Sequence, residues 1–183
     1  MHASTRVPIP PLNTVLVKTF ARHLSIFTPN EHPLLIIIKV DYMEKKTIEI
    51  KIVDSWQIDD IVELYKAGGW WKEYYDKSGI PVLIAGSFAF AVAVEGSSGK
   101  AIGMGRVLSD RVSDAYIQDL IVFPEYRGHY VGTKLVRALI DHCHSKGVTW
   151  IALIAEPGTD VFYKTLGFKP MEHYVPMLFP MER

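Results

Sequence analysis

The chain of 183 residues has a single cysteine, Cys143, so no internal disulfide can staple it. One free cysteine fits a reducing compartment, and a cytoplasmic location is expected. At an apolar helix position such a residue reads as a small core side chain rather than a nucleophile. Charge of one sign is also lacking, because Lys plus Arg 20 balances Asp plus Glu 20. That leaves no basic field to hold nucleic acid or an anionic membrane, and no nucleic-acid partner is expected. Apolar runs such as residues 34–38 fall far below the roughly 20 residues a helix needs to cross a bilayer, so no membrane partner is expected either. His129, His142 and His144 stand in no ligand spacing with cysteines or acids, and no metal is expected. No repeat is visible. Acids are missing before Glu31, while Arg6, Lys18 and Arg22 are present, which gives this stretch the composition of an organellar presequence without a secretory core. Alternatively, Met43 opens the native domain. Either way residues 1–43 read as an N-terminal extension and residues 44–183 as the folded domain.

What is present suffices for one core, since 49% of the residues are apolar. Pro8, Pro10 and Pro11 forbid regular structure near the start, and residues 14–27 carry loosely helical apolar spacing. Residues 34–43 and 47–53 are rich in β-branched side chains and form a candidate hairpin, with Ile48, Ile50 and Ile52 on one face. Asp54 or Ser55 is placed to cap a helix over 57–67, buried along Ile58, Ile61, Val62 and Tyr65 and stopped by Gly68 and Gly69. A short helix is expected over 80–86. Residues 88–95 and 101–108 form a second hairpin around a Gly-Ser-rich turn, and residues 115–123 a further strand ended by Pro124. The best helix follows the 127–132 turn, with Leu135, Val136, Leu139, Ile140 and Cys143 at core spacing and Gly147 as its stop. Then come a strand over 148–155, a short helix over 160–166 and a broken strand over 174–179. This order predicts an α/β fold with a mixed sheet and helices on both faces. The last strand's edge could also pair two subunits, making a homodimer an expectation.

The stretch from Gln118 to Thr133 is the most informative. A strand enters a turn holding Gly128 and Gly132, and the turn opens directly on a helix. The unpaired N–H groups of a helix start, with the helix dipole, suit a pyrophosphate, and glycine lets phosphate oxygens approach the backbone. Turn geometry alone explains the glycines equally well.

The residues around that turn decide between these readings. Arg127, Val131 and Gly132, with Val122 and Pro124 before them, match the pattern arginine or glutamine, two residues, glycine, one residue, glycine or alanine. Downstream, residues 162–168 read Phe-Tyr-Lys-Thr-Leu-Gly-Phe. With both motifs in this order the chain resembles the GNAT N-acetyltransferase superfamily over residues 47–179. Tyr130 departs from the pattern, standing where the middle glycine is usual. The resemblance implies a mostly antiparallel six- to seven-stranded sheet with a splayed central strand pair, whose gap takes the pantetheine arm of acetyl-CoA or another acyl-CoA. It further implies that backbone groups of Leu120 and Val122 pair with that arm as with an added strand. The pyrophosphate would sit on backbone N–H groups of Arg127, Gly128, His129, Tyr130, Val131, Gly132 and Thr133.

Acyl transfer from a thioester to an amine needs a neutral amine and a proton for the departing thiolate. The resemblance puts Tyr163 beside the sulfur as general acid; a core aromatic is the other reading of that residue. For the base there are two candidates, Asp119 and Glu156, seven residues before Tyr163, although Glu156 could simply end a strand before Pro157. Trp70, Trp71 and Tyr74, with Tyr75, fall where such proteins wall the acceptor pocket, and could stack on an amine or cage an ammonium, or pack a helix on the core. The reading is an acyl-CoA-dependent N-acetyltransferase acting on a small-molecule amine. A catalytically weak coenzyme A-binding regulatory module and a protein N-terminal or lysine acetyltransferase are the alternatives.

Overall fold

The computed structural model describes residues 47–179. The expected structure of residues 14–27 and 34–43, and the start at Met43, lie outside them. Within the described residues the order is β1 (Ile48–Ile52), α1 (Ile58–Ala67), α2 (Gly79–Gly86), β2 (Ala89–Glu95), β3 (Ala101–Ser109), β4 (Asp114–Val122), a 3₁₀ turn (Pro124–Tyr126), α3 (Val131–Ser145), β5 (Trp150–Leu153) and α4 (Asp160–Thr165). The strands form one sheet in the order β1-β2-β3-β4-β5. All neighbours are antiparallel except β4 and β5. The mixed α/β class with helices on both faces therefore holds, with five strands among the described residues instead of six or seven.

β2 explains the two layers. Each of its residues is buried, so its sequence shows no polar alternation. Ala89, Ala91 and Ala93 face α3, where they join Leu135, Val136, Leu139 and Cys143 in one core. Phe90, Val92 and Val94 face the other way and join Ile61, Leu64 and Tyr65 of α1 and Ile80 and Ile84 of α2. α3 lies tight against the sheet: a Cβ on Gly103 would come 2.9 Å from the Ile121 carbonyl oxygen and 3.2 Å from Leu135.

Two local expectations are corrected. Neither Asp54 nor Ser55 caps α1; Gln57 holds that position with no side-chain bond, and Asp59 and Asp60 in the first turn complement the dipole instead. Residues 174–179 form no strand. Pro176 cannot donate to a ladder, and Met177, Leu178 and Phe179 are 90% exposed or more, so the apolar stretch there meets no partner strand among the described residues.

Candidate active site

The sheet opens where β4 and β5 part. Their parallel pairing runs only from Asp114↔Trp150 to Ile117↔Leu153. On the other side β4 stays paired with β3 as far as Gly103↔Val122, and the Phe123 N–H still donates to Ile102 O at 3.0 Å. Since successive residues of a strand direct their N–H groups to opposite sides, the backbone groups of Leu120 and Val122 point at the gap. One is already taken: Arg127 Nε donates to Val122 O at 2.9 Å. The gap widens into a cleft of about 1140 Å³ whose lining includes Asp119, Leu120, Val122, Arg127, Glu156 and Tyr163.

At one end the cleft meets the start of α3. Gly128 has φ +78° and Tyr130 φ +60°, a left-handed residue directly before the first helical one. That alternation turns successive N–H groups into one concavity suited to an anion. Among the described residues the N–H groups of Val131, Gly132 and Thr133 have no protein acceptor; the first one tied down is that of Lys134, to Tyr130 O at 3.0 Å. Gly128, Tyr130, Val131, Gly132 and Thr133 line the cleft, whereas His129 is exposed and outside the lining.

The two motif glycines do different work. Gly128 supplies the positive φ, with open space around it. A Cβ on Gly132 would only reach ordinary contact with the Phe162 ring, at 3.4 Å, so packing against α4 does not by itself demand glycine there. Tyr130 keeps the backbone that glycine would have, at a steric cost of about 1–2 kcal/mol. Its side chain is 75% exposed, so little packing would be lost with it. Tyr130→Gly is expected to leave stability level or raise it by about 1 kcal/mol, since glycine's extra unfolded-state entropy offsets part of the relief. A denaturant titration checks this, and a clear loss of stability would show that the tyrosine ring itself holds the turn.

In the same lining Tyr163 rises from α4, half-buried between Phe162 at 5.0 Å and Phe168 at 5.9 Å between ring centres. Burial, then the negative charge of Glu156, push its phenol above the ordinary tyrosine range. Gly167, at φ +100°, lets the chain leave α4 and return Phe168 to the core.

Asp119 occupies a β-bulge. The register of β3 and β4 slips between Met104 and Arg106, and Asp119 takes φ +54°, a conformation uncommon outside glycine. Its carboxylate is tied on one oxygen: Oδ2 receives Tyr65 OH at 2.8 Å and Arg106 Nε at 2.5 Å. Burial, with the Asp119 charge next, holds the Tyr65 phenol far above its usual range. Sequence reasoning missed Tyr65 and Arg106 as site residues. Arg106 left a signal, being the only charge inside the apolar stretch 101–108, whereas Tyr65 was indistinguishable from the rest of its buried stripe.

The aromatic cluster divides. Trp70 lines the cleft and donates Nε1–H to Glu156 Oε1 at 3.2 Å. Trp71 packs against the α1–α2 core and meets Tyr75 edge-on, and Tyr74 stands 81% exposed against Tyr75. Neither Trp71 nor Tyr74 lines the cleft, so of the three expected acceptor contacts the structure brings only Trp70 to it. Among the described residues no group of three or more His, Cys, Asp and Glu side chains is placed to hold a metal ion, and no helix is long and apolar enough to cross a membrane.

A parted strand pair, an amide-lined helix start and a half-buried phenol meet in one cleft, an arrangement suited to an acyl-transfer enzyme. The chain belongs to the acetyltransferase (GNAT) family, whose model matches residues 52–168, and it is an N-acetyltransferase. It is 27% identical over 164 residues, 82% of this chain and 89% of the other, to a protein of Gracilaria tenuistipitata var. liui named an uncharacterized N-acetyltransferase, ycf52. A GNAT-family acetyltransferase of Streptococcus pneumoniae is similar in structure, with TM-score 0.63 at 23% identity, covering 75% of this chain and all of that one. So is the enzyme AAC(6')-Iy, solved with a bisubstrate analogue of coenzyme A and monomethyl-acetylneamine, with TM-score 0.55 at 19% identity over 75% of this chain and 99% of that one.

Proposed function

We propose that the chain moves an acetyl group from acetyl-CoA to the primary amine of a small molecule. One observation carries this reading: the Leu120 backbone and the Val122 N–H at the parted edge of β4 line the same cleft as the unpartnered amides of Val131 to Thr133. An extended amide-bearing arm ending in a diphosphate matches that order of groups. When bound, the thioester supplies an activated acyl carbon and a thiolate leaving group. The Leu120 N–H and C=O and the Val122 N–H align the arm, and the amides of Val131 to Thr133, with Gly128 and Tyr130 shaping the turn, take the diphosphate. Arg127, anchored on Val122 O, closes the turn back on β4. Tyr163, kept protonated by its surroundings, donates its proton to the departing sulfur. Glu156 takes the proton that the amine must shed. Asp119, already ion-paired, serves as an anchor of the bulge rather than as the base.

The coenzyme A molecule of AAC(6')-Iy's analogue lends support from a related fold. The small-amine acceptor is supported by the cleft's one unpaired carboxylate beside an indole, which suits a cation with an apolar body. A thermal-shift series tests the donor: acetyl-CoA at about a hundred times its Kd should stabilise the fold by about 2.7 kcal/mol. Thiol release with a panel of small amines, set against peptides with free N-termini or lysines, then tests the acceptor. Absence of any shift by coenzyme A thioesters would end the proposal.

A further inference from the structure

Trp70 and Glu156 are far apart in the chain, yet a hydrogen bond joins the loop after α1 to the loop after β5 within the cleft lining. The indole has only one donor, and Glu156 Oε1 receives it at 3.2 Å. Among the described residues the other oxygen, Oε2, carries no hydrogen bond.

The indole is held in this place by a built seat. Gly69, at φ +73°, reverses the chain after α1, and the N–H groups of Trp70 and Trp71 both donate to Tyr65 O, at 3.0 and 3.3 Å. The Tyr65 ring meets the indole edge-on at 6.2 Å between centres. Gly68 leaves the room: a Cβ there would lie 2.7 Å from Cε3 and 2.9 Å from Cδ2 of Trp70. Gly68 itself has ordinary right-handed backbone, φ −78°, so nothing but the indole requires glycine at that position. A ring that merely stacks on substrate needs no such aim for its N–H.

We infer that Trp70 is a positioning residue for the acceptor step, holding one oxygen of Glu156 so that the other faces the incoming amine. This rests on the reading of Glu156 as the proton acceptor. In the step it serves, the amine nitrogen forms a bond to the acyl carbon while the carbon–sulfur bond breaks. The amine's proton goes to Glu156 Oε2, and the thiolate takes the proton of Tyr163. The bond at Oε1 occupies one oxygen of the exposed Glu156 and leaves Oε2 for the amine. Acceptors are then selected by where their nitrogen reaches, and the indole is a spacer behind the carboxylate instead of a stacking platform.

The test is a cycle of Trp70→Phe, which keeps a ring and loses the N–H, with Glu156→Gln and the double variant, at saturating acetyl-CoA. Each single change should lower kcat/KM for the amine about 10- to 10²-fold while KM for acetyl-CoA stays level. The double variant should be no worse than Glu156→Gln alone, because both changes remove one arrangement. Losses that multiply would make Trp70 an independent substrate contact and overturn the inference. A second readout needs no turnover. The four tryptophans give four indole N–H resonances, and the one lost in Trp70→Phe should shift in ligand-free Glu156→Gln and in Gly68→Ala. A resonance unmoved by Glu156→Gln overturns the inference by itself, whether or not any amine is acetylated. If the resonance moves but no amine is ever turned over, the proposed function fails and the role inferred for Trp70 falls with it.

Discussion

Replacing Tyr163 by Phe is expected to lower kcat for acetyl transfer by about 10²- to 10⁴-fold, the range over which a placed general acid acts. KM for acetyl-CoA should change little, because in the proposed function the arm and diphosphate rest on backbone groups of β4 and the start of α3, not on Tyr163. The phenol's surroundings also fix a pH signature. Burial first, and the Glu156 charge second, raise its pKa above the ordinary value near ~10. A raised pKa keeps the acid protonated further into the alkaline range, so the limb of the kcat profile owed to Tyr163 lies above that value. Removing the Glu156 charge takes away the second cause, and in Glu156→Gln the limb should move back toward lower pH. The same shift has a stability sign. The neutral phenol's contribution is fully present below the unfolded pKa and is lost as pH rises through the folded one, so Tyr163→Phe should lessen alkaline unfolding. A Phe variant with unchanged kcat would leave Tyr163 as a core aromatic between Phe162 and Phe168.

Most of the fold was legible because its signals are local. The alternating and all-apolar stretches gave β2, β3 and β4 to within a residue, and the spacing of Leu135, Val136, Leu139 and Cys143 gave α3 with its stop. Residues 174–179 misled because a short apolar stretch records what is apolar and says nothing of whether a partner strand is within reach. In the cleft, the turn before α3 could be read from two glycines and its motif. The individual geometry could not: Gly132 neighbours Phe162, thirty residues on, and Tyr130 keeps a glycine-like backbone that no composition rule would assign to tyrosine. The least legible part is the side-chain wiring. Asp119 with Tyr65 and Glu156 with Trp70 are long-range pairs that only the assembled sheet and α1 bring together.

Asp119→Ala is expected to destabilise the domain by about 2–4 kcal/mol. Removing one partner of a buried ion pair costs about 3–5 kcal/mol, and the side chains of Arg106 and Asp119 keep 16% and 24% of their exposure, which lets water soften the loss. Two donors are orphaned together, Arg106 Nε and the buried Tyr65 hydroxyl. For a domain of this size the melting temperature should fall by about 5–15 °C. Asp119→Asn separates anchor from base. Asparagine tolerates the left-handed backbone found at this position and still accepts a hydrogen bond, but cannot take a proton at neutral pH. If the carboxylate serves to hold the bulge, and through it the direction of the Leu120 backbone at the gap, Asp119→Asn should keep most of kcat while Asp119→Ala loses it along with stability. If Asp119 is instead the base, the two variants should be equally inactive although only one of them is unstable. Arg106→Met completes the comparison: as part of an anchor, Arg106→Met and Asp119→Ala together should cost less than the sum of the two, because the charge left unpaired by either change alone is then absent. A double loss equal to that sum would mean that the bulge keeps its shape without the pair, and its geometry would then have to come from the β3–β4 ladder alone.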